Sequence, residues 1–188
     1  MNAIEIAGAV IGLAYVISEY RADRWFWPLS LLMSAFYIVI DFSSGIYANG
    51  TICCYNFLMS VYGLLVWRGI LGRRDRQERP ITSCPRAYWL PILLAVALLA
   101  VGLFFLLRKL PDESAYPAID ALSSAISIVA MWMLSKKYWQ QWIGWLIVEP
   151  MMVALFWLTG NYASAALYVV YLLFCVMGIV KWKRLSIA

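Results

Sequence analysis

The sequence predicts an all-α integral membrane protein with seven transmembrane helices. They form two parallel three-helix bundles joined by a linker helix. Composition, the length of the apolar runs and a repeat at one fixed offset predict this. Of 188 residues, 64% are hydrophobic and 13% charged. A soluble domain is about 45–50% apolar and about 25% charged, so water is not the main solvent for this surface. In a bilayer the backbone must satisfy itself, which leaves helices or a closed barrel. A barrel would show short alternating segments; the runs here are long and continuous.

A spanning helix needs about 20 mostly apolar residues. The expected spans are residues 2–19, 25–41, 47–67, 89–107, 118–135, 139–158 and 162–180. Residues 1–9 carry no Lys or Arg, and a secretory signal opens on a basic segment. The first span is therefore expected to be retained. Spans 2 and 3 are joined by Phe42, Ser43, Ser44 and Gly45, and spans 6 and 7 by Thr159, Gly160 and Asn161.

Basic residues set the orientation. One set of helix ends carries Arg21, Arg24, Arg68, Arg73, Arg74, Arg76, Arg79, Arg86, Lys136, Lys137, Lys181, Lys183 and Arg184. The opposite set carries only Arg108 and Lys109. The N-terminus is expected outside and the C-terminus in the cytoplasm. The net charge of +5 is thus a topology signal, and no nucleic-acid partner is expected. The run 68–86 is the longest inner loop, basic enough to touch anionic headgroups of the lipid bilayer.

An offset of 115 residues superposes Trp27 on Trp142 and Gly45, Tyr47 and Ala48 on Gly160, Tyr162 and Ala163. It also places Gly63 and Trp67 on Gly178 and Trp182, and Glu5 on Asp120. The offset crosses an even number of spans, so both triplets enter the membrane in the same sense. Parallel repeats are a recurrent transporter design, and two facing bundles would enclose one cavity. The domains expected are 1–67 (first repeat), 68–117 (basic loop and linker helix) and 118–188 (second repeat).

Chemistry is sparse. Cys53, Cys54, Cys84 and Cys175 form no CxxC pair, and there is no His. The usual zinc spacings cannot be built, and no metal or cofactor is expected. Intramembrane hydrolases and lipid transferases need a His, a metal or clustered acids, so an enzyme is not expected. A channel would show polar stripes along several spans, where here polar residues are isolated.

The most informative constellation is Trp142, Trp145 and Glu149. At about 100° per residue they share one face of span 6. A carboxyl near mid-depth costs a few kcal/mol to insert and should face the bundle interior or a wet cavity. Indole faces attract flat cations. The stripe suits a planar, cationic, heteroaromatic solute. Trp142, near the inner end of its span, is equally well placed as an interfacial belt residue. Pro150 removes a helical N–H and is expected to kink span 6, freeing the Leu146 carbonyl. Ser34 is the offset partner of Glu149. Asn56, flanked by Tyr55, wants a polar partner, either an interhelical bond or a ligand. Its offset partner is Tyr171. Glu5 and Asp120 suit helix N-termini, with Asp120 one turn deeper and so a candidate for the outer vestibule. Trp132, Tyr15, Met33 and Tyr37 are candidate walls.

These motifs resemble the PnuC-like vitamin transporters. The family pattern Trp-x-x-Trp-x-x-x-Asn/Asp is read here as Trp142-Ile-Gly-Trp145-Leu-Ile-Val-Glu149. Gly45-Ile-Tyr47-Ala48-Asn49, Tyr62-Gly63-Leu-Leu-Val-Trp67, and Leu167-Tyr168 through Gly178 to Trp182 are also similar. Ser18-Glu19-Tyr20-Arg21-Ala22 resembles the thiamine-transporting branch, PnuT. The resemblance covers nearly the whole chain and implies a fold similar to SWEET-type sugar transporters, in a bacterial cytoplasmic membrane. It implies facilitated diffusion of a small B vitamin, trapped inside by a cytoplasmic vitamin kinase, and a homo-oligomer, a trimer. By carry-over, Trp142, Trp145 and position 149 contact the substrate. Asn56, Ser34, Asp120 and Trp132 complete the expected substrate-binding set. Position 149 departs from the pattern, being Glu. A carboxylate there favours cationic thiamine, with nicotinamide riboside as the alternative and neutral riboflavin a poorer fit.

Overall fold

The structure, a computed structural model, describes residues 3–23, 25–43, 47–71, 80–109, 116–158, 160 and 162–186. Arg24, Ser44, Gly45, Arg73, Arg74, Arg76, Arg79, Thr159 and Asn161, named above, lie outside the described residues. So do the side chains of Glu5, Tyr37, Tyr47, Ala48, Asn49 and Ala163.

Among the described residues there are seven α-helices: α1 (Ala3–Arg21), α2 (Phe26–Ser43), α3 (Tyr47–Trp67), α4 (Trp89–Leu107), α5 (Pro117–Ser135), α6 (Gln141–Leu158) and α7 (Tyr162–Leu185). The long apolar runs have become helices, as sequence predicts. Pro28, Pro91 and Pro117 all fall in first turns, where the missing N–H has no intrahelical partner. Pro150 is the exception, inside α6, and the helix continues through it to Leu158. Several boundaries differ from expectation, the end of α7 by the most. Phe42 and Ser43 belong to α2, and α6 starts at Gln141 because Trp139 and Gln140 are held by other bonds.

Among the described residues, α4, α5, α6 and most of α7 are long and apolar enough to cross a bilayer by length and composition. Helix α4 buries none of its residues within the chain, and Leu98 is 74% exposed. Such a surface is stable only against lipid or protein.

The chain divides into two compact units. One comprises Met1–Arg79 with Ser135–Lys137, the other Pro80–Leu134 with Tyr138–Ala188. Within the first, Trp27 meets Trp67 edge-on at 5.5 Å and 87°. Within the second, Trp142 meets Trp182 at 5.8 Å and 82°. A Cβ added to Gly63 would overlap the Trp27 indole, and one added to Gly178 the Trp142 indole. Each glycine is thus the seat of a tryptophan. The indole N–H of both Trp27 and Trp142 lacks a hydrogen-bond partner among the described residues.

The turns match too. Ala22 and Lys137 both have φ 53°, a left-handed conformation that costs a non-glycine residue about 1–2 kcal/mol. Asp23 N–H bonds the Ser18 carbonyl at 3.0 Å, and Tyr138 N–H bonds the Met133 carbonyl at 3.0 Å. Both are the closing bond of a Schellman helix end. One tryptophan seat and one turn therefore recur 115 residues apart. Gly63→Ala and Gly178→Ala are each expected to destabilise by about 1–3 kcal/mol, the range for overpacking. The check is thermal melting of the detergent-solubilised protein.

Residues 80–85 are tied to the turn before α6. Trp139 N–H bonds the Thr82 carbonyl at 3.1 Å. The Trp139 indole N–H donates to Ser83 Oγ at 3.0 Å, and Cys84 N–H donates to Gln140 Oε1 at 2.9 Å. Cys84, Val129, Met133 and Tyr138 then pack together under α4 residues Ile92, Val96 and Leu99. Burial pushes the Cys84 thiol up from its ordinary value, so little thiolate exists near neutral pH. Maleimide is expected to label Cys84 slowly there, faster as pH rises, and faster at every pH in Gln140→Leu. Mass spectrometry of the labelled chain would show it.

Candidate functional site

Helix α6 carries the candidate site. Residues Gln141, Trp145 and Glu149 are four apart, so they climb one stripe with about 40° of drift per step. Glu149 is 7% exposed, deep in a segment that is otherwise apolar. Its carboxyl lies near the Tyr168 and Tyr171 phenols on α7. Tyr168 packs against Phe156 at 5.2 Å and against Tyr171 at 5.5 Å. Trp145 is half-buried, and its indole N–H has no hydrogen-bond partner among the described residues. A carboxyl, an indole with an unengaged donor and two phenols thus occupy neighbouring stripes of α6 and α7. Such a set can stack a flat ring, balance a positive charge and donate hydrogen bonds.

The other expected site residues fall out differently. Trp142 is 1% exposed, its ring packed on Gly178 and Trp182. Trp132 meets Tyr88 and Tyr138 edge-on, each at 6.2 Å, in the packing beneath α4. Asp120 lies in the first turn of α5, half-buried, its carbonyl accepting from Ser123 Oγ at 3.1 Å. Ser34 and Asn56 belong to the first unit. Ser34 Oγ donates to the Ser30 carbonyl at 2.8 Å. The Asn56 carbonyl accepts from Ser60 Oγ at 2.7 Å, and Ser60 shares a hydroxyl bond of 2.7 Å with Ser30. Among the candidate walls, Tyr15 packs on Phe26 at 4.6 Å.

The repeat exposes an asymmetry. Ser30, Ser34, Cys53 and Asn56 in the first unit correspond to Trp145, Glu149, Tyr168 and Tyr171 in the second. Small residues in one copy stand where large, polar-tipped ones stand in the other. Helical periodicity on α6 alone singles out neither Tyr168 nor Gln141, and Tyr171 stands out only as the offset partner of Asn56. Subtracting one repeat from the other would have found all three.

One apolar groove of about 400 Å³ lies along α6 and α7, lined by Pro150, Val153, Ala154, Trp157, Leu158, Val169 and Leu172. It offers no charged or hydrogen-bonding side chain beyond the Trp157 indole.

Residues 2–184 match the family described as nicotinamide mononucleotide transporter. The chain belongs to that family. It is 25% identical over 210 residues to the nicotinamide riboside transporter PnuC of Escherichia coli (strain K12), covering 95% of this chain and 84% of that protein. It is 26% identical over 187 residues to the riboflavin/roseoflavin transporter RibM of Streptomyces davaonensis, covering 95% and 83%. Against the nicotinamide riboside transporter PnuC of Neisseria mucosa it is 24% identical over 188 residues, covering 94% and 70%. The fold is similar to that in a crystal structure of the vitamin B3 transporter PnuC. There the TM-score is 0.71 at 22% identity, over 94% of this chain and 79% of that one. The family membership makes the chain a multi-pass membrane transporter.

Proposed function

We propose that this protein carries nicotinamide riboside across the membrane by facilitated diffusion. The reading rests on one observation above all: a buried carboxyl, Glu149, two helical turns along one stripe from Gln141 with the half-buried Trp145 indole between them. The pyridinium ring is flat and permanently positive, so it stacks on Trp145 and is balanced by Glu149. Ribose hydroxyls suit the phenols of Tyr168 and Tyr171. The two relatives named for nicotinamide riboside support the choice of solute. The repeated tryptophan seat and turn support two copies of a three-helix unit with α4 as connector. The basic helix ends support an outside N-terminus and a cytoplasmic C-terminus. A cytoplasmic kinase acting on the arriving vitamin would make uptake one-way.

Thiamine is the second reading. Glu149 stands where the family pattern has Asn or Asp, and a carboxylate pairs well with an aminopyrimidine. Riboflavin, neutral, has least use for the acid. The experiment is tryptophan-fluorescence titration of the purified protein with all three vitamins. Nicotinamide riboside is expected to quench at the lowest concentration. Tighter thiamine binding would transfer the assignment to thiamine, and tightest riboflavin binding would remove the cation argument.

A further inference from the structure

Gln141 is an anomaly of the second unit. It is 0% exposed. Neither its amide nitrogen nor its amide oxygen has a hydrogen-bond partner among the described residues. Burying an amide without partners sacrifices its hydration and gains nothing in return. Its repeat partner shows what this position needs for folding. There, Phe26 is equally buried, stacked at 6.1 Å on Trp67 and tilted at 4.6 Å against Tyr15. An apolar side chain satisfies the fold. The second unit has an amide instead, at the first residue of α6.

The position of the amide suggests its use. Gln141 begins the stripe that continues through Trp145 to Glu149. Eight residues at about 1.5 Å each put Gln141 and Glu149 about 12 Å apart along the axis. That is the scale of a two-ring solute such as a nucleoside. Trp145 lies midway. A primary amide offers one acceptor oxygen and two donor hydrogens. It pairs with another carboxamide through two antiparallel hydrogen bonds, but with a carboxylate only through its donors.

We propose that Gln141 is a substrate-contacting, specificity-determining residue, which pairs with the carboxamide of the carried nucleoside at the basic end of α6. The inference rests on the nicotinamide riboside reading above. Full burial makes the contact transient, formed as that end of the helix opens to release the solute. The amide thereby separates a carboxamide-bearing nucleoside from its carboxylate analogue.

The test uses the full-length protein in detergent and in proteoliposomes, with Gln141→Leu and, as a second apolar variant, Gln141→Met. Melting temperature and uptake of labelled nicotinamide riboside and nicotinic acid riboside are read on each. Both variants are expected to melt no lower than the parent. Uptake of nicotinamide riboside falls about tenfold, the loss of one to two neutral hydrogen bonds, and the preference over the acid analogue collapses. Unchanged uptake and preference in either variant would overturn the proposal and leave the transport reading intact. Lower melting in both variants would show that the amide serves the fold, and would overturn it too. A parent protein that takes up neither riboside overturns the nicotinamide riboside reading itself, and this inference with it.

Discussion

Replacing Trp142 by alanine is expected to cost about 3–5 kcal/mol of stability, the range for a buried large aromatic. Replacing Trp145 by alanine is expected to leave the fold nearly intact and remove most vitamin binding. The two tryptophans share one short motif, yet the structure gives them different neighbours. Trp142 packs on Gly178 and Trp182. Trp145 is only half-buried, and its N–H is unengaged among the described residues. Trp27→Ala should behave like Trp142→Ala, because Trp27 sits on Gly63 and Trp67 in the same way. Monodispersity and melting in detergent report the first effect, and fluorescence titration the second. Equal loss of binding without loss of stability in Trp142→Ala would return that residue to the binding surface.

Glu149→Gln is expected to weaken binding of a cationic vitamin by roughly 10- to 100-fold, the worth of about 1.5–3 kcal/mol for a charged partner. The side chain keeps its length and shape, so stability should hold. Glu149→Leu should bind worse still but melt higher, since an acid in an apolar segment costs a few kcal/mol. Neutral riboflavin supplies the control. Its binding should change little in Glu149→Gln, and an equal loss for riboflavin and a cation would mean that the carboxyl acts by shape or hydrogen bonding alone.

Most of the fold was legible in the sequence because apolar length is a direct physical requirement of the bilayer. The seven helices fall within a few residues of the expected spans. The end of α7 is the largest miss: it runs to Leu185. Lys181, Lys183 and Arg184 read as the end of an apolar run, but a helix continues wherever its backbone bonds do. Lys183 lies over the Trp139 ring at 5.5 Å, which keeps its charge at the surface. The α6 start was misplaced for a converse reason. Trp139 is apolar enough to extend the span, yet its N–H bonds Thr82, a partner 57 residues away that no local pattern reveals.

Of the candidate site, the sequence shows spacing and not contacts. Periodicity identified the face shared by Trp145 and Glu149, because helix angle follows from spacing alone. It could not say what each ring touches. Trp142 is a binding candidate by spacing, and its packing on Gly178 and Trp182 is visible only in three dimensions. Gln141 looked unremarkable, since a glutamine at a helix start is ordinary until its burial is known. Tyr168 was one tyrosine among 12 in the chain, so its type carried no signal without a neighbour.

The unequal occupants of equivalent positions bear on how such a protein changes its cargo. Ser30 and Ser34 hold their hydroxyl bonds within the first unit's own helices, while Trp145 and Glu149 fill the same register in the second. If the second stripe binds the solute as proposed, a substitution on it alters what is recognised without touching the first copy's framework. A substitution at Gly63 or Gly178 alters the framework in whichever copy it strikes. On the proposed reading, selection for a new vitamin has about four side chains to work on, and two glycines it must leave alone.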